Sequence, residues 1–345
     1  MKFKKLGNTD LNVSLICLGT MTWGTQNTEK EAFEQMDYAI EQGINFFDTA
    51  ELYSVPPTKD SYGKTEKIIG NWFEKRKNRE KIILASKVAG PGLDWIRGGE
   101  NNFSEKKIGK AIDDSLKRLK TDYMDLYQLH WPERSTNCFG RREFKVNDNE
   151  GKWNNFENIL QALEKFIKSG KIRYIGMSNE TPYGLSKYLE ISKNKNLPRM
   201  MSVQNPYSLV NRTYEIGMSE ISIREKCGLL AYYPLAAGAL SGKYRNGQMP
   251  KNSRMTLFKG WERMINPLAM KAYDKYYELA KEYNLTMVQL AQAFVNSRTF
   301  VTSNIIGATT MKQLKENIKS IDIDLSEEIL EKINLIHNNN PNPAP

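Results

Sequence analysis

Short apolar segments alternate with longer segments of helical periodicity along most of this chain. The apolar segments are rich in β-branched and aromatic residues, as strands are, and the alternation itself is typical of β-α-β units on a parallel sheet. Eight strands are predicted, over residues 14–18, 45–49, 82–87, 124–129, 174–178, 201–204, 229–233 and 301–306. Nearly continuous hydrophobicity within each strand indicates burial on both faces, and eight such strands close a (β/α)8 barrel, the TIM-barrel fold.

Helix-initiation signals occupy the intervals between these strands. Thr28 and Glu31 form a capping-box pattern, and Thr181 precedes a proline at a first helical position. Further helices are predicted over residues 104–119, 155–169 and 326–337. Residues 3–13 predict a β-hairpin around a Gly-Asn turn, which we expect to close the bottom of the barrel.

Length and loop pattern favour a single domain over 1–345, because closed α/β barrels routinely run beyond about 250 residues as one unit. Two segments lack periodicity: 132–153 after the fourth strand and 242–266 after the seventh. Long irregular loops in compact domains are commonly functional. Residues 326–345 are predicted as a terminal helix followed by an extended polar tail.

Composition narrows the class of protein. Hydrophobic residues make up 40% and charged residues 26%, values typical of soluble globular chains. Three cysteines without C-x-x-C spacing argue against a disulfide framework or a zinc site and favour a reducing, cytoplasmic compartment. The longest nearly apolar run, 229–240, is too short to cross a bilayer. We therefore expect no metal and no membrane insertion.

The formal net charge of +10 raises the question of a polyanionic partner. The densest basic stretch, 74–81, is flanked by acidic residues and lies at a predicted helix end, where cations favourably meet the helix dipole. A solvated surface explains it, so we expect no nucleic-acid partner, and some of the excess charge is available to an anionic cofactor. Binding to RNA or to a membrane surface is kept as an alternative, which co-purification with nucleic acid or sedimentation with anionic vesicles would reveal.

Four polar residues follow the ends of successive predicted strands. Asp48 and Tyr53 follow the second strand, Lys87 closes the third, and His130 follows the fourth. Taken singly, three of them are most simply structural: a packed tyrosine, an aspartate turn acceptor and a lysine at the surface. His130, one of only two histidines in the chain, is a better candidate. The active sites of (β/α)8 barrels lie where the carboxyl ends of the strands meet, so their joint placement predicts a catalytic group.

The chemistry that this group suits is reduction of a carbonyl. Tyrosine, with an ordinary pKa of about 10, becomes a useful proton donor when a nearby ammonium stabilises the phenolate left behind. Lys87 is placed to supply that charge, and Asp48 to hold the ammonium. His130 could either orient the carbonyl oxygen or relay the proton.

The motif from Asp48 to Tyr53, followed by Lys87 and His130, resembles the catalytic tetrad of the aldo-keto reductase family. Other motifs resemble that family in the same order, at 19–24, 63–66, 170–179 and 204–207. Together they span almost the whole chain. Within the family the chain is most similar to the bacterial Tas-like branch, which is related to potassium-channel β-subunits, through segments 129–132, 136–140 and 204–209 and the closing Pro-Ala-Pro.

The resemblance implies a metal-free, NADP(H)-linked oxidoreductase. Hydride would pass between the nicotinamide and a small-molecule aldehyde or ketone, with Tyr53 as general acid. A rival hypothesis is a cofactor-sensing regulatory subunit with the same barrel and nucleotide. No oligomeric state is favoured by the pattern, and the substrate is not specified, although Trp23, Tyr53, Trp131 and Phe139 are expected to form a partly aromatic pocket wall.

The resemblance also implies contacts at the nicotinamide end of the cofactor. Ser178, Asn179 and Gln204 match the positions that bind the carboxamide. Tyr232 matches an aromatic that stacks on the ring, with a packed core aromatic as its alternative. Further cofactor-binding residues by the matched motifs are Gly19, Thr20, Met21 and Asp48.

Two segments resemble the family's phosphate-binding segments. One comprises Pro234, Leu235, Ser241, Gly242 and Lys243, with Arg254 as a second cation, and arginine can grip a 2′-phosphate with two parallel hydrogen bonds. The other comprises Gly307, Thr309, Gln313, Glu316 and Asn317, near a helix start. Gly307 and Gln313 depart from the lysine and arginine that many members place there, so Lys243 and Arg254 are expected to take over this role, and the preference for NADPH over NADH is weakened.

Overall fold

The computed structural model describes residues 1–99, 101–147, 150 and 153–345. Eight parallel strands close into a barrel in the order β10-β3-β4-β5-β6-β7-β8-β9, and β1 and β2 form an antiparallel hairpin. The strands are β1 Phe3–Lys5, β2 Asn12–Ser14, β3 Ile16–Gly19, β4 Phe46–Asp48, β5 Ile83–Val88, β6 Met124–Leu129, β7 Ile172–Ser178, β8 Met200–Pro206, β9 Gly228–Tyr232 and β10 Val301–Ile306. The predicted (β/α)8 barrel with an amino-terminal hairpin is confirmed.

Helices occupy the intervals between the barrel strands and cover the outside of the sheet. They are α1 Glu29–Glu41, α2 Lys64–Arg76, α3 Glu105–Leu119, α4 Phe156–Lys168, α5 Pro182–Lys195, α6 Met218–Arg224, α7 Arg254–Leu257, α8 Pro267–Glu282, α9 Met287–Asn296, α10 Met311–Lys319 and α11 Glu327–Asn339. Thr28 caps α1 in a reciprocal capping box, and the side chain of Thr181 caps α5 ahead of its proline. These two predicted helix starts are confirmed.

The first barrel strand differs from its predicted bounds of 14–18. Ser14 belongs to the hairpin, where it pairs with Phe3, and β3 begins at Ile16. The Ser14 hydroxyl donates to Ile16 O at 2.7 Å, and the Asn45 side chain accepts from Ser14 N at 2.8 Å. These bonds turn the chain from the hairpin into the barrel, a corner that the hydrophobic pattern alone does not reveal.

The hairpin closes the bottom of the barrel, as predicted. Leu6, Leu11 and Val13 pack against the buried Cys17 and Phe46 inside the strands. Gly7 has a φ of +56°, and an added Cβ there would lie 2.7 Å from Met201 O at the beginning of β8. The bottom is therefore filled with side chains, which leaves the opposite end of the barrel for a ligand.

The extended polar tail is predicted over residues 338–345; α11 instead continues to Asn339, and the closing residues 340–345 are fastened to the barrel. Ala344 is buried, and its amide donates to Val210 O at 3.2 Å. The Asn266 side chain donates to Pro343 O at 2.7 Å, and Arg263 Nε donates to Pro345 O at 3.2 Å. The tail thereby braces loops that lie on the carboxyl-terminal side of the strands.

Replacement of Gly70 by alanine is expected to destabilise the packing of α2 on α3. An added Cβ would overlap Arg118 O and lie 2.8 Å from the carbonyl carbon of Leu119, both of which are backbone atoms. Overpacking of this kind costs about 1–3 kcal/mol of unfolding free energy. Urea unfolding measures the loss, and Lys67→Ala, an exposed site on the same helix, is the control. Equal midpoints for the two variants would contradict the close approach.

Candidate active site

The carboxyl ends of the barrel strands surround a cavity of about 550 Å³. Five of the strands, β4 to β8, bring a polar side chain to or near this point: Asp48 ends β4, Lys87 lies one residue before the end of β5, and His130 follows β6. Ser178 ends β7, and Gln204 lies near the end of β8. Parallel strands carry these residues to one edge because their carboxyl ends all meet there.

Lys87 connects Asp48 with Tyr53 beneath the cavity. Its ammonium donates to Asp48 Oδ2 at 2.7 Å and to Thr49 O at 2.9 Å, and lies 3.3 Å from the Tyr53 hydroxyl oxygen. The Lys87 side chain is fully buried. A charge so placed, with a carboxylate on one side and a phenol on the other, stabilises a phenolate.

Asp48 is held by donors on both carboxylate oxygens. Gln204 Nε2 donates to Asp48 Oδ1 at 2.8 Å, and Gln128 Nε2 reaches the same oxygen at 3.3 Å. Thr20 Oγ1 donates to the backbone oxygen of Asp48 at 2.9 Å. These bonds fix the carboxylate, which in turn fixes the Lys87 ammonium.

Tyr53 and His130 both keep their uncharged forms near neutral pH. Burial raises the pKa of Tyr53 well above its usual value, and the Asp48 charge adds to this shift. Burial also lowers the pKa of His130 well below its usual value, and Lys87 contributes in the same direction. The two rings meet edge to face with centroids 5.7 Å apart. Within the described part of the chain, His130 Nδ1 is buried without a hydrogen-bond partner.

The residues predicted at the nicotinamide end form one hydrogen-bonded chain. Ser178 Oγ donates to Gln204 O at 2.7 Å, and Asn179 Nδ2 donates to His130 O at 2.8 Å. Tyr232 donates its hydroxyl to Asn179 Oδ1 at 2.6 Å. The Tyr232 hydroxyl is thus committed to Asn179. The Tyr232 side chain lines the cavity together with the other three predicted residues.

Lys243 and Arg254 bring two cations to the far part of the cavity. Among the described residues neither makes an ion pair, and Arg254 Nη1 is buried without a hydrogen-bond partner. Burial lowers the pKa of both side chains, and Arg254 adds to the lowering for Lys243. Partly buried cations without a counter-charge are costly, so this pair is suited to an anion.

The loop after β9 wraps around this end of the cavity. Its backbone takes positive φ values of +56° at Ala237, +95° at Gly238 and +80° at Gly242. A Cβ on Gly238 would lie 3.0 Å from Lys243 Nζ, so glycine permits the ammonium to lie over the loop. Pro234, Leu235 and Ser241 of the same loop line the cavity.

The segment after β10 forms the opposite wall. Asn317 Nδ2 donates to Gly307 O at 3.1 Å, and Gln313 Oε1 accepts from Thr309 N at 2.9 Å. Glu316 accepts from the Thr286 hydroxyl at 2.8 Å. A Cβ on Gly307 would have no atom within 4 Å, so the space above this residue is open. The Gln313 side chain thus holds the turn at Thr309 by accepting a hydrogen bond. An arginine could not do this, because its guanidinium has no acceptor atom.

Most of the residues singled out from the sequence line this one cavity. They are Gly19, Thr20, Met21, Asp48, Tyr53, His130, Ser178, Asn179, Gln204, Tyr232, Pro234, Leu235, Ser241, Lys243, Arg254, Gly307, Thr309, Gln313, Glu316 and Asn317. Lys87 lies beneath the wall, behind Asp48 and Tyr53, and Gly242 supplies a turn in the backbone.

The predicted aromatic wall is partly wrong. Trp131 and Phe139 line the cavity beside Tyr53, with ring centroids of the first two 6.0 Å apart. Trp23 is fully buried instead, and its indole donates to Gln35 at 3.1 Å. Only the fold shows that Trp23 packs inward, because its partner Gln35 lies on α1.

Sequence reasoning missed several cavity residues. Gln26 lines the cavity, and its Oε1 is buried without a partner among the described residues. Gln26 lies two residues beyond the 19–24 motif, which is the one signal that could have suggested it. Residues 252–253 and Gln292 also line the cavity but carry no recognisable pattern.

Neither a metal site nor a membrane-spanning helix occurs within residues 1–99, 101–147, 150 and 153–345. No cluster of histidine, cysteine, aspartate or glutamate there is able to hold a metal ion. None of the helices found in those ranges combines the length and the apolar character needed to cross a membrane.

Comparison with known proteins finds relatives over the whole chain. The profile of the Aldo/keto reductase family matches residues 15–338. Protein Tas of Escherichia coli K12 is 45% identical, over 100% of both chains. The uncharacterized oxidoreductase YrpG of Bacillus subtilis is 35% identical, over 97% of this chain and 95% of its own length. A probable voltage-gated potassium channel subunit beta of Arabidopsis thaliana is 28% identical, over 99% and 98%. These matches confirm the resemblance drawn from the motifs.

Proposed function

This chain belongs to the aldo-keto reductase family of oxidoreductases, and from that premise we propose that it catalyses the reversible, NADPH-dependent reduction of an aldehyde or ketone. The observation that carries the proposal is the position of one ammonium: Lys87 Nζ lies 2.7 Å from the Asp48 carboxylate and 3.3 Å from the Tyr53 hydroxyl, at the base of the cavity. A merely structural ion pair would not need a phenol on its other side.

Tyr53 acts as the general acid. It donates its proton to the oxygen of the carbonyl group, and the phenolate that remains is stabilised by the Lys87 ammonium. Asp48 keeps the ammonium in place through its 2.7 Å hydrogen bond. In the oxidation of an alcohol the phenolate takes the proton back.

His130 orients the carbonyl oxygen. Burial and Lys87 hold the pKa of His130 low, so its imidazole is neutral and carries one N–H donor near pH 7. A neutral imidazole donates a hydrogen bond without placing a second positive charge beside Lys87. Of the two roles open from the sequence, the lowered pKa favours orientation over proton relay.

The cavity fits a dinucleotide with a phosphate at its far end. Ser178, Asn179 and Gln204 would hold the carboxamide, and Lys243 and Arg254 would hold phosphate. The fit rests on the partnerless Arg254 Nη1 and on the absence of an ion pair for either cation within the described ranges. The chemistry that bound NADPH supplies is the donation of a hydride to the carbonyl carbon.

Replacement of Arg254 by methionine is expected to raise the Kd for NADPH by about 10- to 100-fold, since a hydrogen bond to a charged group contributes about 1.5–3 kcal/mol. The Kd for NADH should change much less if the guanidinium meets the 2′-phosphate. Fluorescence titration measures both constants. Arg245→Met, which removes a neighbouring cation that pairs with Asp274, is the control. An unchanged Kd for NADPH would contradict the assignment.

A second candidate function is a regulatory subunit that senses the cofactor. It is favoured by the similarity to the Arabidopsis protein named a probable channel subunit beta. The same barrel and cofactor cavity would serve either role, so turnover separates them.

The decisive experiment combines binding and turnover. The purified protein is titrated with NADPH and NADH by fluorescence, and NADPH oxidation is then followed with a panel of small aldehydes and ketones. Tight binding with turnover supports the reductase. Tight binding without turnover on any carbonyl favours the regulatory subunit, and no binding of either nucleotide would overturn both.

A further inference from the structure

The proposed mechanism leaves one buried carboxylate of the catalytic segment without a role. Glu51 lies between Asp48 and Tyr53, and its side chain is fully buried. Its Oε1 accepts from the guanidinium of Arg97 and from Ala89 N at 2.6 Å, and its Oε2 accepts from the Tyr62 hydroxyl at 3.0 Å. The carboxylate is therefore tied to the loop that follows β5, through Ala89 and Arg97, and to Tyr62.

Main-chain bonds of Glu51 reinforce this connection. Its amide donates to Lys87 O at 3.2 Å, and its carbonyl accepts from Gly63 N at 3.0 Å. The Glu51 side chain thus accepts from Ala89 N, while the Glu51 amide donates to the oxygen of Lys87, two residues earlier. Glu51 therefore makes hydrogen bonds on both sides of Val88, at the end of β5. This is the strand that carries Lys87.

Arg97 extends the connection to the loop between β5 and α3. Arg97 Nη2 donates to Ala89 O at 3.3 Å, so one guanidinium holds both Glu51 and the beginning of this loop. Apolar residues of the same loop, including Ile96, pack with Leu52, Tyr53 and Trp131. The loop is consequently the packing surface behind the proton donor, and Arg97 is its ionic anchor.

The burial of this pair argues for a geometric role. The Arg97 and Glu51 side chains are 1% and 0% exposed. A buried ion pair contributes little net stability compared with apolar side chains of the same volume, because desolvation offsets the attraction between the charges. Its directed hydrogen bonds nevertheless impose one arrangement on the segments they join.

We propose that Glu51 and Arg97 are positioning residues that set the distance between Tyr53 and Lys87, an inference that rests on the proposed function. Glu51 fixes the segment from Asp48 to Tyr53 against β5, and Arg97 presses the loop after β5 against the tyrosine. Neither contacts the substrate. Displacement of a reacting group by about 1 Å costs as much as 100-fold in rate, so a loosened segment loses turnover even when the barrel stays folded.

The test uses Glu51→Gln, Arg97→Lys, Arg97→Met and the double variant Glu51→Gln/Arg97→Met. We expect kcat to fall about 10- to 100-fold in Arg97→Met and Glu51→Gln, with the Kd for NADPH unchanged, and partial rescue in Arg97→Lys. The double variant removes both charges and so keeps the folded state accessible, yet it should not recover kcat. Unchanged kcat in all four variants would overturn the inference.

Arg118→Met is the matched control. It removes the partly exposed partner of the buried Glu66, to which Arg118 Nε donates at 2.7 Å, on the same side of the barrel. Arg118 makes no hydrogen bond to residues 49–53 among those described. This variant should lose stability but keep kcat. An equal loss of kcat in Arg118→Met and Arg97→Met would reduce the role of Arg97 to general stability.

Two readouts report on Tyr53 specifically. In alcohol oxidation the rate rises with pH as Tyr53 loses its proton, so greater separation from Lys87 should move this rise to higher pH in Glu51→Gln. In a double-mutant cycle, Glu51→Gln should have no effect on the residual rate of Tyr53→Phe, because the group that it positions is gone. If Tyr53→Phe itself keeps full activity, the proposed function fails, whereas full additivity with an inactive Tyr53→Phe overturns only the positioning role.

Discussion

Tyr53→Phe is expected to lower kcat for carbonyl reduction by about 10²- to 10⁴-fold, the usual contribution of a general acid. The phenylalanine ring fills the same space, so the cavity keeps its shape, but the proton that the Lys87 ammonium makes available is lost. The Kd for NADPH should stay within twofold of the original value. Stability should also change little, because the hydroxyl interacts with Lys87 at 3.3 Å while the lysine retains Asp48 and Thr49 O.

Steady-state NADPH oxidation, together with fluorescence titration, measures this effect. Tyr273→Phe makes the same chemical change at a buried tyrosine outside the cavity, whose hydroxyl donates to Met264 O, and should retain activity. The pH dependence of reduction also has a definite direction. Because burial raises the pKa of Tyr53 and lowers that of His130, both stay uncharged through the neutral range, and reduction should fall only where Tyr53 ionises at high pH. Full activity in Tyr53→Phe would exclude the mechanism.

Lys87→Met should damage both catalysis and stability, which distinguishes it from Tyr53→Phe. Without the ammonium the phenolate has no stabilising charge, so kcat should fall about 10²- to 10⁴-fold. Asp48 would also be left as a buried carboxylate without its cation, and breaking such a pair typically costs about 3–5 kcal/mol of unfolding free energy. Denaturant unfolding measures this second loss.

The double variant Lys87→Met/Asp48→Asn separates the two effects. Removal of both charges leaves no uncompensated carboxylate, so much of the lost stability should return. Activity should not return, because the ammonium beside Tyr53 is still absent. Recovery of kcat in the double variant would show that Lys87 serves only to neutralise Asp48.

The sequence predicts the barrel well because its signals are local. Hydrophobic runs mark strands that are buried on both faces, and Thr28 and Thr181 start their helices by bonding backbone amides a few residues away. The proposed catalytic group could be predicted for a related reason. Asp48, Lys87 and His130 each lie at a strand end, and the fold alone then brings those ends together.

Other features could not be predicted from the sequence, because they depend on partners that are distant in the chain. Glu51 meets Arg97 across 46 positions, and no period or motif connects them. Trp23, as an aromatic residue, is expected in the pocket wall. It packs inward instead, and its indole N–H donates to Gln35. The sequence of the tail predicts a polar, extended segment. Ala344 is nevertheless buried against loops, and no local sequence pattern indicates that contact.

The two unneutralised cations, Lys243 and Arg254, connect the lifetime of this protein to its metabolic surroundings. An anion that binds the folded chain and not the unfolded one adds stability by mass action, about 2.7 kcal/mol when its concentration is 100 times Kd. Under the proposed function that anion is NADPH, so a cell rich in NADPH is expected to hold more of the barrel in its folded, protease-resistant form. Depletion of the nucleotide would shorten the residence of the protein before any change in its synthesis.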